Sequence, residues 1–107
     1  MTEKPFENKI KQWLKENDCW FVKYWGGGTF TRAGVPDLIC CIAGHFVAIE
    51  VKGDKGKPSE LQKANIRKIK KSGGIGLIAY PNDWENIKAY LTALLRGKED
   101  EAKSQQD

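Results

Sequence analysis

Residues 37–52, DLICCIAGHFVAIEVK, hold two apolar runs separated by Ala43-Gly44. A two-residue connection between such runs predicts a tight hairpin, and its length sets the pairing. Ile42 then lies opposite His45 and, counting outward, Asp37 lies opposite Glu50. Side chains alternate between the faces of a strand. Leu38, Cys40, Ile42, Val47, Ile49 and Val51 therefore share a wholly apolar face, which belongs in a core. Ile39, Cys41, Phe46 and Ala48 share the other face with Asp37, Glu50 and Lys52. That second face is apolar near the turn and charged at its far end. A one-residue slip would take Asp37 and Glu50 out of register, so the pairing stands or falls with the turn.

The flanking sequence supplies the layers that such a hairpin needs. PFENKIKQWLKEN places Phe6, Ile10, Trp13 and Leu14 at helical spacing behind Pro5, which suits a first turn. CWFVKYW is aromatic and β-branched and reads as a strand; GGGTFTRAGVP reads as a loop. After GDKGKP, Ser59 opens a helix that stops at Gly73-Gly74. IGLIAY is a short buried strand. Asp83 is expected to cap a last helix carrying the stripe Trp84, Ile87, Leu91, Leu94 and Leu95. The order αβββαβα predicts one α/β domain over residues 1–97, a mixed sheet with helices packed on it. The tail 98–107, KEDEAKSQQD, lacks apolar residues and is expected to be disordered.

The charged end of the hairpin carries the chemistry. Opposed residues on paired strands have Cβ atoms about 4.5–5.5 Å apart, so two carboxylates there repel each other. A divalent cation removes the penalty, because Mg²⁺ binds through one or two carboxylates completed by carbonyls and water. Lys52, on the same face as Glu50, can contact an attacking water or a phosphate oxygen that gathers charge. Two carboxylates and a lysine around a metal suit metal-assisted phosphodiester hydrolysis. Read singly, each acid is better taken as a solvated strand-end residue; register, shared face and the lysine two positions on reverse that reading for the pair.

GVPDLI followed by AIEVKG resembles the PD-(D/E)XK nuclease signature, Pro36-Asp37 and then Glu50-Val51-Lys52. TRAGVPDLICC with FVAIEVKGDKGKPSELQKANI is similar to the virus-type replication-repair nuclease (VRR-NUC) family of that superfamily, with Gly34 before Pro-Asp and Gln62 on the following helix. The resemblance implies a restriction-endonuclease-like αβββαβ core. It also implies an Mg²⁺- or Mn²⁺-dependent endonuclease acting on DNA, branched DNA such as four-way junctions included. Asp37 and Glu50 would be metal ligands with the main-chain carbonyl of Val51, and Lys52 the catalytic lysine. Glu7 would support a metal site, with Glu3 its rival on the same helix, and Gln62 would orient a side chain or phosphate. Gln62 also completes a Ser59-x-x-Gln62 capping box, and Glu7 also suits a first helical turn on dipole grounds. Stand-alone relatives of this size occur in phages and prophages, and the family includes homodimers.

A formal charge of +4 mildly favours an anionic partner. Lys63, Arg67, Lys70 and Lys71 recur along one helix, Lys55 and Lys57 follow the Glu-x-Lys strand, and Arg32 precedes Gly34. These residues flank the acidic pair and are the expected backbone contacts, although such a stripe is also what a solvated helix face looks like. Trp20, Tyr24, Trp25, Trp84 and Tyr90 exceed what one small core needs and suggest a dimer interface. The three cysteines include no CxxC pair and read as reduced and buried. No apolar run spans a bilayer and no secretory h-region begins the chain, so a cytoplasmic protein of a bacterial or phage-infected cell is expected. The competing function is a nucleic-acid-binding module that keeps the fold without catalysis.

Overall fold

A computed structural model of the chain describes residues 1–29 and 31–106, with side chains described up to residue 99. It contains α1 (Glu3–Glu16), β1 (Trp20–Lys23), β2 (Leu38–Ile42), β3 (His45–Val51), α2 (Glu60–Lys71), β4 (Ile75–Ala79) and α3 (Trp84–Gln106), with a 3₁₀ turn at Pro81–Asp83. The sheet order is β1-β2-β3-β4; the first two pairings are antiparallel and β3–β4 is parallel. This is the expected mixed sheet flanked by helices, the αβββαβ core of a restriction-endonuclease-like α/β fold.

The hairpin register is the one the two-residue turn dictates. Ile42 pairs with His45 and Leu38 with Ile49. Ala43 and Gly44 both have positive φ, 52° and 83°, as a type I′ turn requires. All six residues assigned to the apolar face are buried. Against them pack Phe6, Ile10 and Leu14 of α1 and Trp84 and Leu91 of α3. Trp84 is the centre of this layer, with its ring edge-to-face on Phe6 at 5.9 Å and on Trp13 at 6.2 Å.

Helix α2 covers the opposite face, but only over β3 and β4, where Ala48 and Ile66 are buried. The β1–β2 half of that face stays open, which leaves Trp20 and Val22 exposed; Phe46, at the start of β3, is exposed as well.

Four expectations are corrected. Trp84 is core and cannot serve an interface, because Phe6 and Trp13 enclose it. Asp83 ends the 3₁₀ turn instead of capping α3, because Pro81 starts a tighter turn one step earlier. Of the cysteines only Cys40 is buried; Cys41 lies on the uncovered half-face and is exposed. Helix α3 does not stop at Gly97 but runs to Gln106. A single glycine costs a helix only about 1 kcal/mol. The expected disordered tail otherwise falls mainly on side chains outside the described residues.

Candidate active site

Asp37 sits one residue before β2, where the strand emerges from the Gly34-Val35-Pro36 segment. Gly34 has φ +76°, and a Cβ there would lie 2.6 Å from Leu61 and 2.8 Å from Asn65 of α2. Only glycine lets the loop lie this close to the helix. From that anchor Asp37 turns toward the end of β3. Its Oδ2 accepts from the backbone N–H of Val51 at 2.8 Å, and its main-chain oxygen accepts from Tyr24 N–H at 2.8 Å. The carboxylate is thereby held against the Glu50-Val51-Lys52 segment, as the pairing requires.

Glu50 is 2% exposed, on a strand flanked by β2 and β4. Gln62 Nε2 donates to its Oε1 at 3.3 Å, and Lys52 Nζ lies 3.8 Å from the same oxygen. Its Oε2 is buried with no hydrogen-bond partner among the described residues. Burial pushes the Glu50 carboxyl up to about 8, the facing Asp37 adds to the rise, and Lys52 only partly offsets it. Glu3 adds a smaller repulsion from the start of α1. Gln62 holds two positions at once. It completes the capping box with Ser59, accepting from Ser59 N–H at 2.8 Å while its own N–H donates to Ser59 Oγ at 3.1 Å, and its amide reaches Glu50.

Glu7 faces the sheet and is 2% exposed. It does not join the Asp37–Glu50 pair directly. Lys23 Nζ donates to its Oε1 and Lys11 Nζ lies 3.0 Å from its Oε2. Burial alone would raise its pKa, but the two ammonium groups together hold it below the usual carboxylate value. Lys23 Nζ also lies 3.5 Å from Asp37 Oδ1, so one lysine bridges the helix acid and the strand acid.

Sequence reasoning missed Lys23, although a signal was present. On β1 the apolar Trp20 and Val22 point outward while Phe21 and Lys23 point inward, and an inward lysine on a strand needs a buried acid.

The basic residues divide. Lys55 and Lys57 in the loop after β3, and Arg67 and Lys70 on α2, are exposed, while Lys63 pairs with Glu60 at 3.1 Å on the helix surface. Arg32 is anchored by its backbone, its N–H donating to Tyr24 Oη at 2.7 Å while the same hydroxyl donates to Arg32 O at 3.1 Å. Phe30, in the glycine-rich loop, lies outside the described residues.

No three histidine, cysteine or acidic side chains converge on one point among the described residues. The residues nonetheless fit a hard divalent cation. A buried carboxylate oxygen with no partner, facing a second carboxylate, is the donor pair that Mg²⁺ or Mn²⁺ takes, the remaining positions being carbonyl or water.

Among comparisons with known proteins, a family model described as archaeal Holliday junction resolvase (hjc) matches residues 3–105. This is a PD-(D/E)XK nuclease family. The match speaks to that family and leaves the narrower VRR-NUC likeness where the motif string put it. No curated protein matches the chain.

Proposed function

The chain belongs to the archaeal Holliday junction resolvase family, and from that premise we propose that it is a divalent-metal-dependent endonuclease that cuts branched DNA, four-way junctions above all. One observation carries the reading: Asp37 and Glu50 face each other at the end of the hairpin, with a Glu50 oxygen buried and without a hydrogen-bond partner among the described residues. An acidic pair of this kind weakens the folded protein unless a cation binds it.

Asp37, Glu50 and the main-chain carbonyl of Val51 would hold Mg²⁺ or Mn²⁺. When bound, the ion supplies Lewis-acid polarisation of the scissile phosphate and acidifies water. The rest falls to the protein. Lys52, its stem packed on Gly56, presents its ammonium to the attacking water or to the phosphate oxygen that gains charge. Gln62 keeps Glu50 in its rotamer. Lys23 neutralises Glu7 and steadies Asp37, so that one acid on α1 and one beside β2 coexist. Water adds at phosphorus and the bond to the leaving sugar oxygen breaks. Arg32, Lys55, Lys57, Lys63, Arg67 and Lys70 would contact the backbone on either side.

Two symmetric cuts across a junction need two sites, which a twofold homodimer supplies. The exposed Trp20, Trp25 and Tyr90 are the aromatics left for its interface. The VRR-NUC likeness adds a stand-alone phage-type setting inside a bacterial cell. No helix among the described residues is long and apolar enough to cross a membrane.

The test is cleavage of labelled four-way, flapped and linear DNA with Mg²⁺, Mn²⁺ or EDTA. Wild type should cut the junction only with metal. Asp37→Asn and Lys52→Ala should lose at least about a hundredfold in rate, as loss of a charge-stabilising group does, while still binding it. Undiminished cutting by Asp37→Asn, or in EDTA, refutes the proposal.

A further inference from the structure

Beside α2, at the start of β3 and the turn into β4, is a pocket of about 280 Å³. It is small for a ligand site, where roughly 300–1,000 Å³ is usual. Arg32 and Lys68 line it, and no acidic residue does. Neither makes a side-chain ion pair among the described residues. Lys68 lies outside the basic stripe read from the sequence. The ring of Phe46 lines it as well, 48% exposed although it projects from a central strand.

The ring's place is built. A Cβ on Gly74 would come within 3.1 Å of Phe46 Cδ1 and 3.0 Å of Ile69, so the bare glycine backbone lets the ring edge and the helix side chain close together. Asn65 and Ser72 add polar atoms to the wall. Asn65 Nδ2 is taken by the Leu61 carbonyl at 3.0 Å, which leaves its Oδ1 to accept from a ligand N–H.

Two cations without an acid select an anion, and an exposed ring beside an arginine selects a flat π-system. A nucleotide combines the two. Its base stacks on an aromatic face whatever its identity, which suits an enzyme that reads shape. Phe46 lies on the same sheet face as Glu50, four positions along β3, or about 13 Å at the strand rise. At about 3.4 Å per stacked nucleotide, a strand crossing the acidic pair reaches the pocket within about four nucleotides.

Resting on the nuclease reading, we infer that this pocket holds one unstacked nucleotide of the bound strand, its base on Phe46 and its phosphate between Arg32 and Lys68. A continuous duplex has no such nucleotide to give; a branch point does. The pocket thus supplies selectivity for branched DNA from within one protomer.

The test measures affinity of the full chain in EDTA, which prevents cutting, for a duplex with one unpaired 2-aminopurine nucleotide and for the same duplex fully paired. Wild type should prefer the unpaired form and quench the 2-aminopurine. Phe46→Ala should weaken binding of that form about 5- to 150-fold, the stacking range, with little change for the paired duplex. Phe46→Tyr should keep both the preference and the quenching. Lys68→Gln should weaken the preference without touching the ring. Equal affinities for the two duplexes, or a preference that survives Phe46→Ala, overturn the pocket. If junctions are still cut with Mg²⁺ in that case, the nuclease reading stands alone. Preference without cutting in any metal would retain the pocket and remove the nuclease.

Discussion

Replacing Glu50 by glutamine should make the metal-free protein more stable, with a pH dependence that isolates the cause. The Glu50 carboxyl has an ordinary value of 4.5 and stands at about 8 in the fold, chiefly because it is buried and secondly because Asp37 faces it. Its folded value is raised, so the folded state holds the proton more tightly than the unfolded chain does. Stability is therefore highest below pH 4.5, falls as pH rises toward about 8, and levels off above it. Within that window one proton is taken up on folding, a slope of about 1.4 kcal/mol per pH unit at most. At pH 7 the gap of about 2.5 units from the ordinary value sets an upper bound of about 3 kcal/mol. A neutral glutamine side chain escapes this cost. Its oxygen can still accept from Gln62, and its amide can donate to Asp37. Urea unfolding in EDTA, followed by tryptophan fluorescence, is the assay, since Trp84 in the core reports on packing. Glu50→Gln should match wild type near pH 5 and exceed it by about 1–3 kcal/mol at pH 8. Saturating Mg²⁺ should narrow the gap by stabilising wild type alone. A Glu50→Gln variant weaker than wild type at pH 8, or a difference indifferent to pH, would refute the reasoning.

Lys23→Met should cost of the order of 3 kcal/mol at pH 7, because it leaves Glu7 buried with Lys11 alone. Glu7 has a lowered folded value, so the stability it gives is present above 4.5 and lost as pH falls. The Lys23 penalty should accordingly shrink by pH 4, and Glu7→Gln in the same chain should recover part of it; an equal penalty at both pH values in urea unfolding would count against the ion pair. Ala43→Asn should stabilise by about 0.5–1 kcal/mol, since Ala43 has φ 52° and asparagine tolerates that region better. A thermal midpoint unchanged or lowered, instead of raised by roughly 3–6 °C, would show that the turn carries no such strain.

The hairpin is legible in the sequence because three independent constraints agree. The two-residue turn sets the pairing, the apolar alternation sets the faces, and the paired acids appear at the register position both imply. Gln62 is legible for a similar reason: its capping role and its reach to Glu50 both follow from standing at the third position of a helix beside β3. What stays hidden depends on coverage. Nothing local says that α2 spans only half of its face, so Cys41 reads as buried and the exposed Phe46 has no evident role. Nothing local distinguishes Trp84 from an interface tryptophan, because an apolar stripe is the same whether it meets this chain's sheet or a second copy. Gly97 reads as a stop from composition, where a helix needs only that its other residues outweigh about 1 kcal/mol.

Lys23 shows why the acidic site reads incompletely from the motif string. Asp37, Glu50 and Lys52 stand on or just beyond the ends of two adjacent strands, and pairing rules bring them together. Glu7 and Lys23 meet only because α1 lies across β1, a packing that no register predicts. Yet these charges are one electrostatic unit. Lys23 touches Glu7 and Asp37, Asp37 faces Glu50, and Glu50 meets Lys52. Acid and base alternate along this chain except at the Asp37–Glu50 step, where two acids are adjacent. The raised Glu50 value and its unpaired oxygen both fall at that step. A metal ion entering there would complete the alternation, and Glu7 would act through Lys23 on Asp37 instead of as a direct ligand. Removing Glu7 should then shift the concentration of Mg²⁺ needed for half-maximal stabilisation less than removing Asp37 does, a comparison that thermal unfolding at graded Mg²⁺ measures without any cleavage assay. Equal shifts for Glu7→Gln and Asp37→Asn would make Glu7 a ligand in its own right.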